Sequence, residues 1–136
     1  SNSKVDPAKY LDFVNQVTSE ESKDGVAFVN RLRNLEGDDC EIHRLLTAAV
    51  GISAEGGEFM EIVKKIIFQG KPYSEDNIRH MKIELGDVMW YVAQACMALD
   101  TDFNELMEMN VNKLSARYPE GTFNVYHSEN RKEGDL

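Results

Sequence analysis

Cysteine, proline, histidine and positive charge are all scarce in this 136-residue chain, and each scarcity narrows what it can be. Its two cysteines, Cys40 and Cys96, form no Cys-x-x-Cys pair and join no Cys/His cluster, which argues against a structural zinc site. Cys96 falls in an apolar helical stretch and reads as a buried thiol. The prolines Pro7, Pro72 and Pro119 stand only where helices should begin or end, and no alternating β-branched run is long enough for a sheet. An all-α chain follows. Fifteen basic residues against 24 acidic ones give a formal charge of -9, which argues against binding to DNA, RNA or an anionic membrane surface. No apolar run approaches the roughly 20 residues needed to span a bilayer. The start does not read as a signal peptide, so a cytoplasmic protein is expected. No Walker loop and no dinucleotide-binding glycine motif is present.

The chain does hold two matched acidic pairs. Glu55 and Glu58 lie in Glu55-Gly56-Gly57-Glu58, and Glu84 and Asp87 in Glu84-Leu85-Gly86-Asp87. A spacing of three puts both members of a pair on one helix face. Glu61 extends the first set. Each pair borders an apolar stripe, so the carboxylates are expected at a helix–helix seam. There they repel one another unless a cation holds them. An all-carboxylate set suits Mg²⁺, or Mn²⁺, and Mg²⁺ recruits carboxylates together with substrate phosphates. A carboxylate-bridged di-iron bundle would use Glu-x-x-His, and no glutamate here has a histidine three residues later. His43, His80 and His127 read as surface or packing residues. The bland reading of one acidic pair is a solvated helix face. Two matched pairs, with glycines Gly56, Gly57 and Gly86 inside the helices at about 1 kcal/mol each against alanine, favour a site.

Caps and periodicity divide the chain. Asp6-Pro7 starts a helix to about Ser19 that should bury Tyr10, Leu11, Val14 and Val17. A second is expected from about Lys23 to Leu35. A turn at Gly37-Asp38-Asp39 precedes a long helix from about Asp39 to Phe68, stopped by Gly70-Lys71-Pro72. Its expected seam is Leu45, Ala49, Ile52, Gly56, Phe59, Val63 and Ile66. Ser74 caps the next helix, whose apolar positions run from Ile78 to Leu99, and Asp102 with Glu105 forms a capping box for a last helix to about Tyr118. The organisation expected is an N-terminal helical extension over 1–38, a catalytic helical core over 39–119 and a polar tail over 120–136. The fold expected is a helical bundle completed by oligomerisation, as a homodimer or homotetramer.

Lys113 and Arg117 are four apart, share a face of the last helix, and suit a triphosphate; the competing reading is a basic last turn that favours the helix dipole. Lys64 and Lys65 read as solvated, with Lys64 a further candidate for phosphate.

These residues together resemble the MazG-like all-α nucleoside triphosphate pyrophosphohydrolases. The family pattern is Glu-x-x-Glu, a spacer, then Glu-x-x-Asp, which Glu55, Glu58, Glu84 and Asp87 match. The closing Asn112-Lys113-Leu114 through Arg117-Tyr118-Pro119 looks like the end of many single-domain members, and the likeness spans about 41–123. The segment before residue 40 does not match the pattern, nor do Arg44, Thr47 and Ala48, where base-binding positions fall. The resemblance implies hydrolysis of a (d)NTP to the (d)NMP and pyrophosphate. It implies Glu55, Glu58, Glu84 and Asp87 as metal ligands and Lys113, Arg117, Tyr118 and Lys64 as substrate-binding residues. Glu58, then Glu61, is the expected residue to activate water. The alternative is a non-catalytic helical oligomer that binds nucleotide or metal.

Overall fold

The structure is a computed structural model that describes residues 5–118. The expected polar tail over 120–136, with His127, lies outside the described residues. The described residues are helical with no strand among them, in the order α1 (Pro7–Gln16), α2 (Glu20–Lys23), α3 (Gly25–Gly37), α4 (Ile42–Phe68), α5 (Glu75–Leu99) and α6 (Phe103–Arg117). They form two compact units, one up to Ile42 and the other from His43 onward.

In the first unit the helix starts follow the capping side chains. Asp6 accepts from the Ala8 N–H at 2.8 Å with Pro7 next in sequence. Asp24 accepts from the Val26 N–H at 3.0 Å and starts α3 at Gly25. The single-turn helix α2 was not expected. Ser19-Glu20-Glu21-Ser22, which reads as a polar link, supplies most of it, with Glu20 and Glu21 in the first turn where the helix dipole favours them. Lys23 closes it by bonding the Asn15 carbonyl at 3.2 Å and pairing with Glu20 at 3.3 Å. The expected burial of α1 does not occur: Tyr10, Leu11, Val14 and Val17 are all exposed. A ten-residue helix needs a tertiary partner to bury its apolar face, and α1 has no buried residue.

The second unit contains every buried apolar residue described: Ala48, Ile62 and Cys96. The long helix begins at Ile42 rather than Asp39. Asp39 adopts a left-handed conformation (φ 60°) just beyond α3, and the Cys40 N–H reaches back to the Leu35 carbonyl at 2.9 Å. The α3 C-terminus therefore takes the residues that the sequence appears to offer to α4. Gly70, at φ 69°, stops α4 as expected. Ser74 accepts from the Asn77 N–H at 3.2 Å and starts α5. Asp102 accepts from the Glu105 N–H at 2.8 Å and starts α6. The Glu105 carboxylate accepts from the Thr101 hydroxyl, so the capping box is half of the expected one.

α4 and α5 run antiparallel. Arg44, early in α4, donates to Gln94 Oε1 at 3.2 Å, late in α5. Gly51 meets Tyr91, and Glu55 meets Glu84 and Asp87. The buried side of α4 is therefore Ala48, Gly51 and Ile62. None of the expected seam is fully buried: Ala49, Ile52 and Gly56 are exposed, while Leu45, Phe59, Val63 and Ile66 are half-buried. Small residues won the contact because they let two helix backbones approach, a preference that hydrophobic periodicity alone does not report.

Candidate functional site

Three carboxylates converge where α4 and α5 meet. Glu55, Glu84 and Asp87 each place one oxygen so that all three lie within 4.8 Å of one another. Glu84 and Asp87 come from one face of α5, as their spacing requires. Glu55 comes from α4, one turn beyond Gly51 and on the same contact line as Ala48 and Gly51.

The electrostatics are those of a crowded acidic site. The Glu55 carboxyl is raised above its ordinary range, first because it and Glu84 are close enough to share a proton. Removal from water adds to this, followed by the charges of Glu84, Asp87 and Glu58. Two ionised carboxylates offer only acceptors to each other. Glu84 Oε2 is accordingly buried with no hydrogen-bond partner. A proton can relieve this crowding; a hard cation relieves it more fully, because it satisfies all three groups at once.

Glu58 is exposed and outside the group of three, yet near enough for its charge to raise Glu55. Glu61 is engaged from its own helix: Lys64 pairs with it at 3.1 Å and Lys65 at 3.6 Å. The Lys64 hydrogen bond, with the charges of both ammoniums, holds the Glu61 carboxyl below its ordinary range. Lys64 thus faces Glu61 on the exposed surface of α4. Lys113, Arg117 and Tyr118 are exposed at the end of α6 and are not members of the carboxylate group.

A cavity of about 400 Å³ lies further along α4 and α5, lined not by the carboxylates but by His43, Leu46, Thr47, Val50, Gly51 and Ala54 of α4 and by Tyr91 of α5. Ala54 directly precedes Glu55, and Tyr91 lies one turn beyond Asp87. Gly51 explains how the Tyr91 ring comes to be there. A Cβ at position 51 would stand 2.0–2.2 Å from three carbons of that ring, so only glycine lets the ring lie on the α4 backbone. Trp90 packs edge-on to Tyr91 at 5.0 Å between ring centroids. The glycines Gly56, Gly57 and Gly86 suit close approach by a backbone or a ligand; among the described residues no protein atom would lie within 4 Å of a Cβ at any of them.

Sequence reasoning missed two features. One is the Gly51–Tyr91 contact, which leaves no periodic signal. The other is His80, whose Nε2 lies 3.3 Å from Glu84 Oε1. The four-residue spacing from His80 to Glu84 was the available signal.

None of the described helices is long and apolar enough to cross a membrane. The sequence profile of the MazG nucleotide pyrophosphohydrolase domain matches residues 44–122, which includes both acidic pairs and the cavity-lining residues apart from His43. The chain is 37% identical over 86 residues to the gene 37 protein of Mycobacterium phage L5, an alignment that covers 62% of this chain and 75% of that protein. No solved structure gives a significant match. With a profile match over more than half its length, this chain belongs to the MazG nucleotide pyrophosphohydrolase domain family.

Proposed function

We propose that this chain is a divalent-cation-dependent nucleoside triphosphate pyrophosphohydrolase that converts a (d)NTP and water to the (d)NMP and pyrophosphate. The observation that carries the reading is the convergence of Glu55, Glu84 and Asp87, with Glu84 Oε2 buried and unsatisfied. Three carboxylates of this kind fit a hard cation, Mg²⁺ first and Mn²⁺ second. When bound, such an ion neutralises phosphate charge and polarises the phosphoanhydride.

The chain's own residues supply the rest. Glu55, Glu84 and Asp87 are the residues that would hold the cation. Glu58 stands beside that group, free of the lysine pairs that engage Glu61, and is exposed to water. It completes the metal-binding motif and is our choice to orient the attacking water and take its proton. Glu61, lowered by two ammoniums, is the weaker base. Water adds to phosphorus, the α–β anhydride bond breaks, and pyrophosphate leaves. Lys113 and Arg117 steady the outer phosphates, with Tyr118 and Lys64 as further substrate contacts. The cavity against Tyr91 receives the base, because it opens one turn from both Glu55 and Asp87.

The substrate is a free nucleotide, and the net charge of -9 disfavours a nucleic acid polymer or an anionic membrane. The working form is a homodimer or homotetramer in the cytoplasm. Support for the oligomer comes from apolar side chains left exposed on the second unit, among them Leu85 at 47%, Met89 at 58% and Trp90 at 57%.

Ion-exchange separation of the products from a panel of NTPs and dNTPs with Mg²⁺ tests the reaction. The expected products are monophosphate and pyrophosphate. Diphosphate and phosphate would refute the assignment.

A further inference from the structure

We propose that His80 is a positioning residue that fixes the Glu84 carboxylate for cation binding; this rests on the metal-dependent reading above. His80 and Glu84 are four residues apart on α5 and share a face. His80 Nε2 lies 3.3 Å from Glu84 Oε1. The other oxygen, Oε2, is buried and has no hydrogen-bond partner. The carboxylate thus has one oxygen beside an imidazole and the other buried without a partner, and one of the two belongs to the group formed with Glu55 and Asp87.

Exposure differs between the two. The Glu84 side chain is 12% exposed and that of His80 is 51% exposed, so His80 is the more solvent-facing partner of the pair. The 3.3 Å contact is an ion-pair approach, and both the imidazolium and the neutral tautomer with its proton on Nε2 carry a proton that a small turn of the ring aims at Oε1. Glu84 has a freely turning terminal torsion. Without a neighbour on Oε1 the carboxylate plane is free to turn, whereas a donor there holds that plane in one orientation towards Glu55 and Asp87. Donors of this kind, one shell behind a metal ligand, typically contribute ~10–100-fold in metal affinity. The competing reading is an exposed i,i+4 pair with no role beyond the helix surface, which would contribute little even to stability.

Calorimetric titration of the full chain with Mn²⁺, without nucleotide, separates the two. His80→Ala should weaken Mn²⁺ binding by about tenfold or more. His80→Gln, whose side-chain amide can donate to Oε1, should recover most of that loss. Glu84→Gln should remove the binding. The proposal is overturned if His80→Ala binds Mn²⁺ as the unaltered chain does while Glu84→Gln does not bind. It is overturned equally if alanine and glutamine at position 80 weaken binding to the same degree. If Glu84→Gln binds Mn²⁺ as well as the unaltered chain, the cation reading itself fails and the role of His80 falls with it. The thermal midpoint of His80→Ala supplies a check on the bland reading, which allows a small shift in midpoint and none in affinity.

Discussion

The acidic pairs on α4 and α5 are written alike, three residues apart with glycine inside, yet α5 delivers both of its carboxylates to the cluster and α4 delivers one. On α5, Glu84 and Asp87 straddle the line that faces α4. On α4 the contact line passes through Ala48, Gly51 and Glu55 and reaches Ile62. Between the last two, Phe59 is half-buried while Glu58 is exposed. Glu58 lies on the flank of that line, near enough for its charge to raise Glu55 but outside the group of three. The same spacing therefore brings two carboxylates to the cluster from one helix, and one carboxylate with a more accessible neighbour from the other. That difference is the basis for assigning Glu58 the water.

The largest effect should separate the three converging carboxylates from everything else. Glu55→Gln, Glu84→Gln and Asp87→Asn should each remove nearly all pyrophosphohydrolase activity, exceeding the ~10–100-fold typical of an outer-shell change. Steady-state assays at saturating Mg²⁺ check this. Activity within a few-fold of the unaltered chain in all three would end the metal-site reading.

Glu58→Gln should lower kcat by about 100-fold or more, the scale of general-base catalysis, while binding of Mn²⁺ persists. Glu61→Gln should cost far less. Equal losses in the two variants would erase the distinction between an accessible base and a lysine-paired carboxylate.

Lys113→Ala and Arg117→Ala come next. A charge-assisted contact contributes about 1.5–3 kcal/mol, so each should lower kcat/KM by roughly tenfold to a hundredfold. Cation binding should be intact. A drop in thermal midpoint with unchanged kinetics would make them dipole-stabilising residues of the last turn instead.

Gly51→Ala should have the smallest consequence for chemistry. Its Cβ would have to displace the Tyr91 ring, an overpacking that typically costs about 1–3 kcal/mol. Chemical denaturation measures the cost, and KM should rise more than kcat falls because the ring lines the cavity.

Much of this arrangement is legible in the sequence, for local reasons. Asp6, Ser74 and Asp102 announce helix starts because a capping side chain works on the next turn alone, and Gly70 announces a stop because few other residues accept its φ. The order and spacing of the two acidic motifs carry the family membership. The seam is not legible in the same way. Periodicity selects the stripe through Leu45, Ala49, Ile52 and Gly56, whereas α5 packs on Ala48 and Gly51. Close backbone approach rewards small residues, and the larger apolar side chains, such as Leu85 and Trp90 on α5, stay exposed in a single copy. Hydrophobic patterning records where apolar residues lie without recording what they pack against. His80 was unreadable for a different reason: a histidine four residues before a glutamate is common on helices, and only the burial of Glu84 Oε2 gives the pair meaning.

Thermal unfolding with and without Mg²⁺, across pH, tests most directly whether the three carboxylates repel one another until a cation holds them. A carboxyl raised in the folded state contributes stability that is fully present below its ordinary value near 4.5 and is lost as pH rises through the raised value. Without metal, the midpoint of the unaltered chain should therefore fall as pH rises through the raised range of Glu55, and Glu55→Gln should lose less over the same interval. Mg²⁺ should restore the midpoint of the unaltered chain and leave Glu55→Gln nearly unchanged. If the variant and the unaltered chain lose the same stability with pH and respond equally to Mg²⁺, the acidic group is a solvated surface and the account is wrong.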